Sequence, residues 1–363
     1  MTKELRAAPS TPLRSGYTTG ACAAAAAKGA VRMLAAQTTQ SEVSIDLPGG
    51  TTATFALHGQ TFSTDEARCF VVKDAGDDPD ITNGAEVHAT ASFLPRKEGE
   101  TITITGGIGI GKVTKPGLAV PPGEWAINPV PRRMIEQSVR SVFSSLIPHP
   151  STLHIAISIP DGEERAKKTL NARLGIIGGL SILGTTGIVR PISVKAWTDT
   201  IDAALDVAKA CGCETVILST GRSSEVAAQH HFPHFPEEAC IMMGDHVAYA
   251  LQACSRRGFM RPVVACQFAK LLKIACGYEN THAAASELDL GILRGWAEAA
   301  GFPAAYLALI SNANTAREIA VATGFDRAFM KLVADRARSA AAVHAPGIQA
   351  QPLLCGYDGL IIE

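Results

Sequence analysis

The stretch best suited to chemistry is Gly106-Gly107-Ile108-Gly109-Ile110-Gly111-Lys112, a glycine-rich run that ends on a lysine. It fits the first part of a phosphate-binding P-loop, in which backbone N–H groups cradle phosphates and the lysine pairs with them. Val113 stands where the magnesium-binding hydroxyl must be, and the proline-rich sequence that follows supplies no helix. The spacing also misses the three-glycine dinucleotide fingerprint. A nucleotide-dependent kinase or ligase is therefore disfavoured. Two readings stay open: a flexible hairpin tip, or a loop whose exposed N–H groups, with Lys112 and Lys115, hold carboxylates or a cofactor tail.

A second candidate runs from Asn171-Ala172-Arg173-Leu174-Gly175 through Gly184-Thr185-Thr186-Gly187 to Arg190-Pro191. Its glycines permit close approach to a ligand, and its threonines can cap or hydrogen-bond one. A tight turn between apolar strands is the equal alternative. In Ser219-Thr220-Gly221-Arg222-Ser223-Ser224-Glu225, hydroxyls, an arginine and a predicted helix start coincide, which suits an anion as well as it suits simple capping. Gly244-Asp245 could face ribose hydroxyls or a cationic sulfonium, or Asp245 could cap the next helix. His230, His231, His234 and Cys240, or Cys211 and Cys213, lack the second close pair that a zinc site needs, so no protein-bound metal is expected. No glycine–x–serine–x–glycine elbow is present.

These loops need a scaffold. Residues 1–14 read as an unstructured lead-in. Thr18-Thr19-Gly20 precedes an alanine-rich run to Ala36, which predicts a capped helix. Val43–Leu47, Thr52–Leu57, Cys69–Lys73, Glu86–Phe93 and Thr101–Thr105 alternate as strands, and a helix is predicted over 131–146. Pro148-His149-Pro150 marks a boundary, which makes 15–148 an α+β domain with a mainly antiparallel sheet. Beyond it, Thr152–Ile159 reads as a strand and Thr198 as a helix cap. Thr215–Leu218, Cys240–Met243 and Pro262–Cys266 are short apolar runs, each followed by a helical pattern. That alternation predicts a doubly wound, mainly parallel α/β domain over 149–363, with ligands beyond the strand C-termini at Ser219–Arg222, Gly244–Asp245 and Gln267. Residues 286–342 are helical, and 353–362 suggest a small hairpin.

Composition limits the partners. The chain has 363 residues, 47% of them hydrophobic, and a formal net charge of −1. That length favours two cores. Near-neutral charge argues against nucleic acid or a membrane surface, while a cationic cleft for an anionic small molecule remains compatible. Nine scattered cysteines suit reduced thiols in the cytoplasm. No signal sequence or apolar span is read, and a homo-oligomer is compatible with the composition.

Specific strings carry the reading further. Gly16-Tyr17-Thr18-Thr19-Gly20-Ala21-Cys22-Ala23-Ala24-Ala25 resembles the opening motif of the cobalt-precorrin-5B C1-methyltransferases. Gly111 to Leu118, Ala126 to Arg132 and Asn171 to Pro191 resemble the same family in the same order. The resemblance implies methyl transfer from S-adenosylmethionine to C1 of an anionic cobalt corrinoid, with no Rossmann fingerprint required. Cationic contacts to the macrocycle carboxylates are then expected from Lys112, Lys115, Arg132, Arg190 and Arg222. Thr18, Thr19, Asn128, Thr185 and Thr186 are further substrate contacts. Ser219, Gly221, Gly244 and Asp245 are expected at the cofactor, and Asp245 or His282 as a general base. A corrinoid-binding protein without catalysis is the rival reading.

Overall fold

The computed structural model describes residues 13–95, 102–143 and 151–362, which fold as two compact units, 1–193 and 194–363. In the first unit the elements are β1 (Gly16–Tyr17), α1 (Thr19–Ala36), β2 (Glu42–Asp46), β3 (Thr52–Ala56), β4 (His58–Phe62), β5 (Glu66–Val72), β6 (Glu86–Pro95), β7 (Ile102–Gly106), β8 (Lys112–Val113), α2 (Pro129–Phe143), β9 (Ser151–Ser158), α3 (Gly162–Ala166), β10 (Ile176–Ile177) and β11 (Ile188–Val189). A five-stranded sheet runs β4-β5-β6-β9-β7, antiparallel except for the β9–β7 pair. Because β9 lies between β6 and β7, the chain cannot be divided after residue 148 as the sequence suggested. The boundary falls at 193/194. The predicted helix end at Leu146, the Pro148-His149-Pro150 boundary and most of the 1–14 lead-in lie outside the described residues. Arg14, the lead-in's last residue, is anchored: its Nη2 donates to Asp74 Oδ1 at 2.9 Å.

Helix α1 forms because Thr18 Oγ1 accepts the Ala21 N–H and an alanine run follows. Ala21, Ala23–Ala27 and Ala30 are fully buried, so the helix is enclosed rather than laid on a surface. Gly29 lets it come down on the sheet: a Cβ there would lie 2.6 Å from Leu57 Cδ1. Lys73 is buried too, and its ammonium is 2.6 Å from Asp80 Oδ2, while Asp80 Oδ1 accepts from Thr82 N–H and Oγ1. This pair organises the 73–85 loop, whose Asp74 carbonyl accepts from Tyr17 N–H at 2.7 Å.

The Gly106–Lys112 loop is a packed structure and not a flexible tip. Gly109 has φ +72°, and a Cβ on it would sit 1.8 Å from the Ile159 carbonyl. A Cβ on Gly162 or on Gly179 would each come within 2.2 Å of the Gly109 carbonyl. Main-chain bonds lock the contact: Gly107 N–H to Ile157 O, Gly111 N–H to Leu180 O and Leu180 N–H to Gly109 O.

The second unit contains α4 (Val194–Ala210), β12 (Ile217–Ser219), α5 (Arg222–His231), β13 (Cys240–Met242), α6 (Val247–Arg257), β14 (Val263–Gln267), α7 (Phe268–Ala275), α8 (Leu290–Ala299), α9 (Ala304–Asn312), α10 (Ala316–Ala322), α11 (Arg327–His344) and β15 (Gln351–Cys355). Its sheet is wholly parallel, in the order β13-β12-β14-β15. Strand alternation sends Ile217, Cys240, Val263 and Ala265 to the α5 face. Leu218, Ile241, Val264 and Cys266 go to the face packed by α4, α6, α7 and α11. This is a doubly wound sheet whose order reverses between β12 and β14. Two local expectations change. Thr198 lies inside α4, its hydroxyl donating back to Lys195 O at 3.0 Å. The last segment turns as expected, with Gly356 N–H bonded to Leu360 O, but β15 joins the parallel sheet.

Three outcomes follow for stability. Gly109→Ala should cost the first unit well beyond the ~1–2 kcal/mol of a left-handed alanine, whereas Gly178→Ala, at φ +86° with open space around it, should cost only about that. Urea denaturation of both variants measures the contrast, and equal losses would remove the close-packing argument. Asp80→Ala should destabilise by roughly 3–5 kcal/mol by leaving Lys73 buried and unpaired, with the double Lys73→Met/Asp80→Leu variant recovering most of it. Burial raises the Asp80 carboxyl, but the bonds from Lys73 and Thr82 outweigh it and hold the pKa below the ordinary value. Its contribution is therefore present above the usual carboxylate range and lost as pH falls through the depressed value. Asp80→Asn should flatten the acid limb of the stability curve.

Candidate functional site

The first unit draws the glycine-rich strings together. Strand β1 pairs with β11, setting Gly16 opposite Val189 and Tyr17 opposite Ile188. Strand β8 pairs with β10, setting Lys112 opposite Ile177. Ala126 N–H donates to Gly111 O, and Asn128 N–H to Ile182 O. Segments 16–20, 106–115, 126–132 and 171–191 thus form one continuous main-chain network.

Within it, the expected contacts divide. Thr18 and Thr19 are buried, and their hydroxyls are committed. Thr18 caps α1, and Thr19 Oγ1 accepts from Leu183 N–H at 3.0 Å while lying within reach of the Ser181 and Leu183 carbonyls. They hold the 181–187 loop and are not presented outward. Asn128 begins α2, its carbonyl accepting from Arg132 N–H. Arg132 is half-buried, with Nη1 donating to Ile104 O at 3.3 Å. Thr185 and Arg190 are exposed, and Thr186 Oγ1 folds back to Ile188. Lys115 Nζ donates to Arg173 O at 3.3 Å. Lys112 is exposed, its ammonium 4.6 Å from the Trp125 ring centroid. The expected N–H cradle is not available at Gly107, Ile110 and Gly111, since each donates to a main-chain carbonyl. Residues not picked out by sequence reading are exposed in the same network: Ile177, opposite Lys112 in the strand pair, is 52% exposed, and Ile108 and Leu183 are 75% and 49% exposed. Cations beside exposed aliphatic side chains suit a flat apolar ligand rimmed with carboxylates.

In the second unit, Ser219 ends β12 and Gly221 precedes α5. Gly221 has no side chain to cap α5, but the Ser224 hydroxyl accepts the Gly221 N–H at 3.2 Å and donates to the Gly221 carbonyl at 2.8 Å, and the first backbone bond of the helix runs from Glu225 N–H to Gly221 O. A Cβ on Gly221 would meet nothing within 4 Å. Ser219 is fully buried, and its hydroxyl has no hydrogen-bond partner among the described residues. A helix N-terminus, open space at Gly221 and an orphan hydroxyl at a sheet switch point suit a small anionic group. Arg222 belongs to this unit and not with the other cations. It pairs with fully buried Glu225 at 2.7 Å.

The candidate bases are both engaged. Asp245 Oδ1 bonds Lys270 Nζ and accepts from Thr281 Oγ1 at 2.6 Å, and its carbonyl accepts Thr281 N–H. Burial raises its carboxyl, yet Lys270 and Thr281 prevail and hold it below the usual range, which makes it a poor proton acceptor. Exposed His282 accepts Ala284 N–H on Nδ1 at 3.2 Å, which puts the proton of a neutral ring on Nε2. Lys273 reaches the Thr281 and Ser286 carbonyls, and its pKa is lowered by burial and by Lys270. This cluster fastens the 279–286 loop to the sheet edge. Among the described residues, no group of three or more His, Cys, Asp or Glu could hold a metal ion, and no helix is long and apolar enough to cross a membrane.

Comparison with known proteins agrees with the strings. Residues 6–191 match CbiD, and residues 280–363 match the CbiD C-terminal domain. The cobalt-precorrin-5B C(1)-methyltransferase of Pelobacter propionicus is 58% identical, covering 97% of this chain and 96% of the relative. That of Geobacter sulfurreducens is 59% identical, covering 96% and 98%. A crystal structure of a cobalamin biosynthesis protein (cbiD) from Archaeoglobus fulgidus is 29% identical, with a TM-score of 0.39 over 71% of this chain and 78% of that one. With matches of this extent at both ends and near-complete coverage by its relatives, the chain belongs to the CbiD family.

Proposed function

We propose that this chain transfers the methyl group of S-adenosylmethionine to C1 of cobalt-precorrin-5B, giving cobalt-precorrin-6A, as a cytoplasmic step of anaerobic cobalamin synthesis. The observation that carries the reading is 58–59% identity, across nearly the whole chain, to relatives bearing that activity in their names. S-adenosylmethionine supplies an electrophilic methyl on a sulfonium; the C1 electron pair takes it, and the C–S pair stays on sulfur as S-adenosylhomocysteine leaves.

The protein's part is to hold and align. Lys112, Arg132 and Arg190 serve the macrocycle carboxylates, while Ile108, Ile177 and Leu183 meet its apolar face. Thr185 lies at this surface, held in place by Thr18, Thr19 and Asn128. In the second unit, the N-terminus of α5 after Gly221 fits the methionyl carboxylate, and the Ser219 hydroxyl fits a polar group of the same ligand. Gly244 makes room for the Trp197 ring beside this crevice, and Asp245 fixes the loop next to it. Alignment to reacting distance can supply about 7–11 kcal/mol without a side-chain nucleophile. The engaged states of Asp245 and His282 support a mechanism in which neither is a base.

The direct test is anaerobic incubation with methyl-labelled S-adenosylmethionine and cobalt-precorrin-5B generated in place. One labelled methyl per macrocycle, mapped to C1, is expected. Corrinoid binding without transfer would instead favour a carrier. Arg132→Ala should raise the corrinoid KM more than the cofactor KM; equal changes would remove its assigned role. Gly221→Asp should abolish cofactor binding while keeping or raising stability, because aspartate is a favoured helix cap. Unchanged cofactor affinity in calorimetry would move the cofactor away from this crevice.

A further inference from the structure

We propose that the exposed face of Trp197 is the platform on which the adenine ring of S-adenosylmethionine stacks. The inference rests on the assignment of the cofactor to the crevice at Ser219 and Gly221. Trp197 lies in the first turn of α4, the helix that leads into β12. Its indole N–H donates to the Met243 carbonyl at 3.1 Å, so the ring orientation is set by main chain. The ring lies over Gly244, where a Cβ would come within 2.8 Å of Cζ2 and 3.0 Å of Cε2. Gly244 also has φ +59°, so both the backbone and the ring require glycine there.

The residue is nonetheless 46% exposed, with the His246 ring centroid 6.2 Å away at 37° and its own polar atom already satisfied. A tryptophan that filled a core would be buried, and one anchored only through its N–H would gain nothing from a glycine beneath it. What this arrangement provides is a rigid aromatic surface held at the sheet edge. That edge is continuous with the proposed crevice, because Met243 N–H and Gly244 N–H both donate to the Ser219 carbonyl. The residue under the ring is thus bonded to the residue bearing the orphan hydroxyl, two positions before Gly221 at the start of α5. An aromatic face, a hydroxyl and a helix N-terminus on adjacent strand ends match the base, the polar middle and the carboxylate of an adenosyl amino acid.

Calorimetric titration with S-adenosylhomocysteine, which cannot react, tests the platform. Trp197→Ala should weaken binding roughly tenfold or more, the range that base–aromatic stacking commands. Trp197→Phe should restore binding to within about threefold of the parent, because it returns a stacking face. The corrinoid KM should stay unchanged in both. Parent-like affinity in Trp197→Ala overturns the platform. If Gly221→Asp still abolishes binding in the same series, the crevice assignment stands without it; if Gly221→Asp also binds normally, both fall. A raised corrinoid KM with unchanged S-adenosylhomocysteine affinity would assign the ring to the macrocycle and overturn the proposal.

Discussion

The first unit depends on main chain touching main chain at three glycines. The Gly109 carbonyl lies where a side chain on Gly162 or Gly179 would have to be, and it accepts the Leu180 N–H in the same contact. Hydrogen bonds at such range are possible only if nothing projects between the strands. The consequence reaches beyond the loop. Once 106–111 is fixed against 179–180, Lys112 is paired with Ile177, Ala126 is tied to Gly111, and the 181–187 segment meets the start of α1. A string that looks like a ligand cradle in isolation is a joint, and the residues just outside the joint carry the outward-facing chemistry.

The second unit solves a different problem. Its strands are short and buried on both faces, so positional precision comes from helices packed on each side of a parallel sheet. The useful groups gather where the strands end. There the polar residues divide by engagement: Asp245, Lys270, Lys273 and Thr281 satisfy one another and fasten a loop. The Ser219 hydroxyl has no such partner among the described residues, while the start of α5 is held by Ser224 on Gly221 and by the Arg222–Glu225 pair. A buried hydroxyl without a partner costs about 1–3 kcal/mol, which sets Ser219 apart from the satisfied cluster beside it.

Much of this was legible in the residues. The alanine run after Thr18-Thr19 specified α1, the alternation of Val43 and Ile45 specified β2, and the strand–helix repeat after Thr215 specified the parallel sheet. Strand β4 was not legible, because His58–Phe62 is largely exposed on both sides and carries no alternating pattern. The two-residue strands β1, β8, β10 and β11 are too short for periodicity and exist through their partners. The division after 148 was misjudged because apolar alternation reveals that Thr152–Ile159 is a strand, not which sheet receives it. The same limit applied to the site. Family strings named segments that the fold joins into one main-chain network, but the inward commitment of Thr18 and Thr19 and the outward placement of Ile108 and Trp197 depend on contacts between distant segments. Arg222 looked like a free cation because Glu225, three residues on, carries no sign in sequence of being fully buried.

The arrangement of titratable groups bears on how the methyl transfer can proceed. A catalytic base near neutral pH needs an unoccupied lone pair and a pKa drawn toward the working range. Asp245 is displaced the other way by Lys270 and Thr281, and the Nδ1 lone pair of His282 is taken by the Ala284 N–H. Freeing either would loosen the 279–286 loop that both help to hold. For a substrate carbon already made nucleophilic by an electron-rich macrocycle, such a base is not required at the bond-forming step. What the step does require is a fixed donor and a fixed acceptor. In each unit, main-chain contacts over glycines or helices packed on both faces of a sheet hold the loops in place, and such holding is the contribution that alignment asks of a protein.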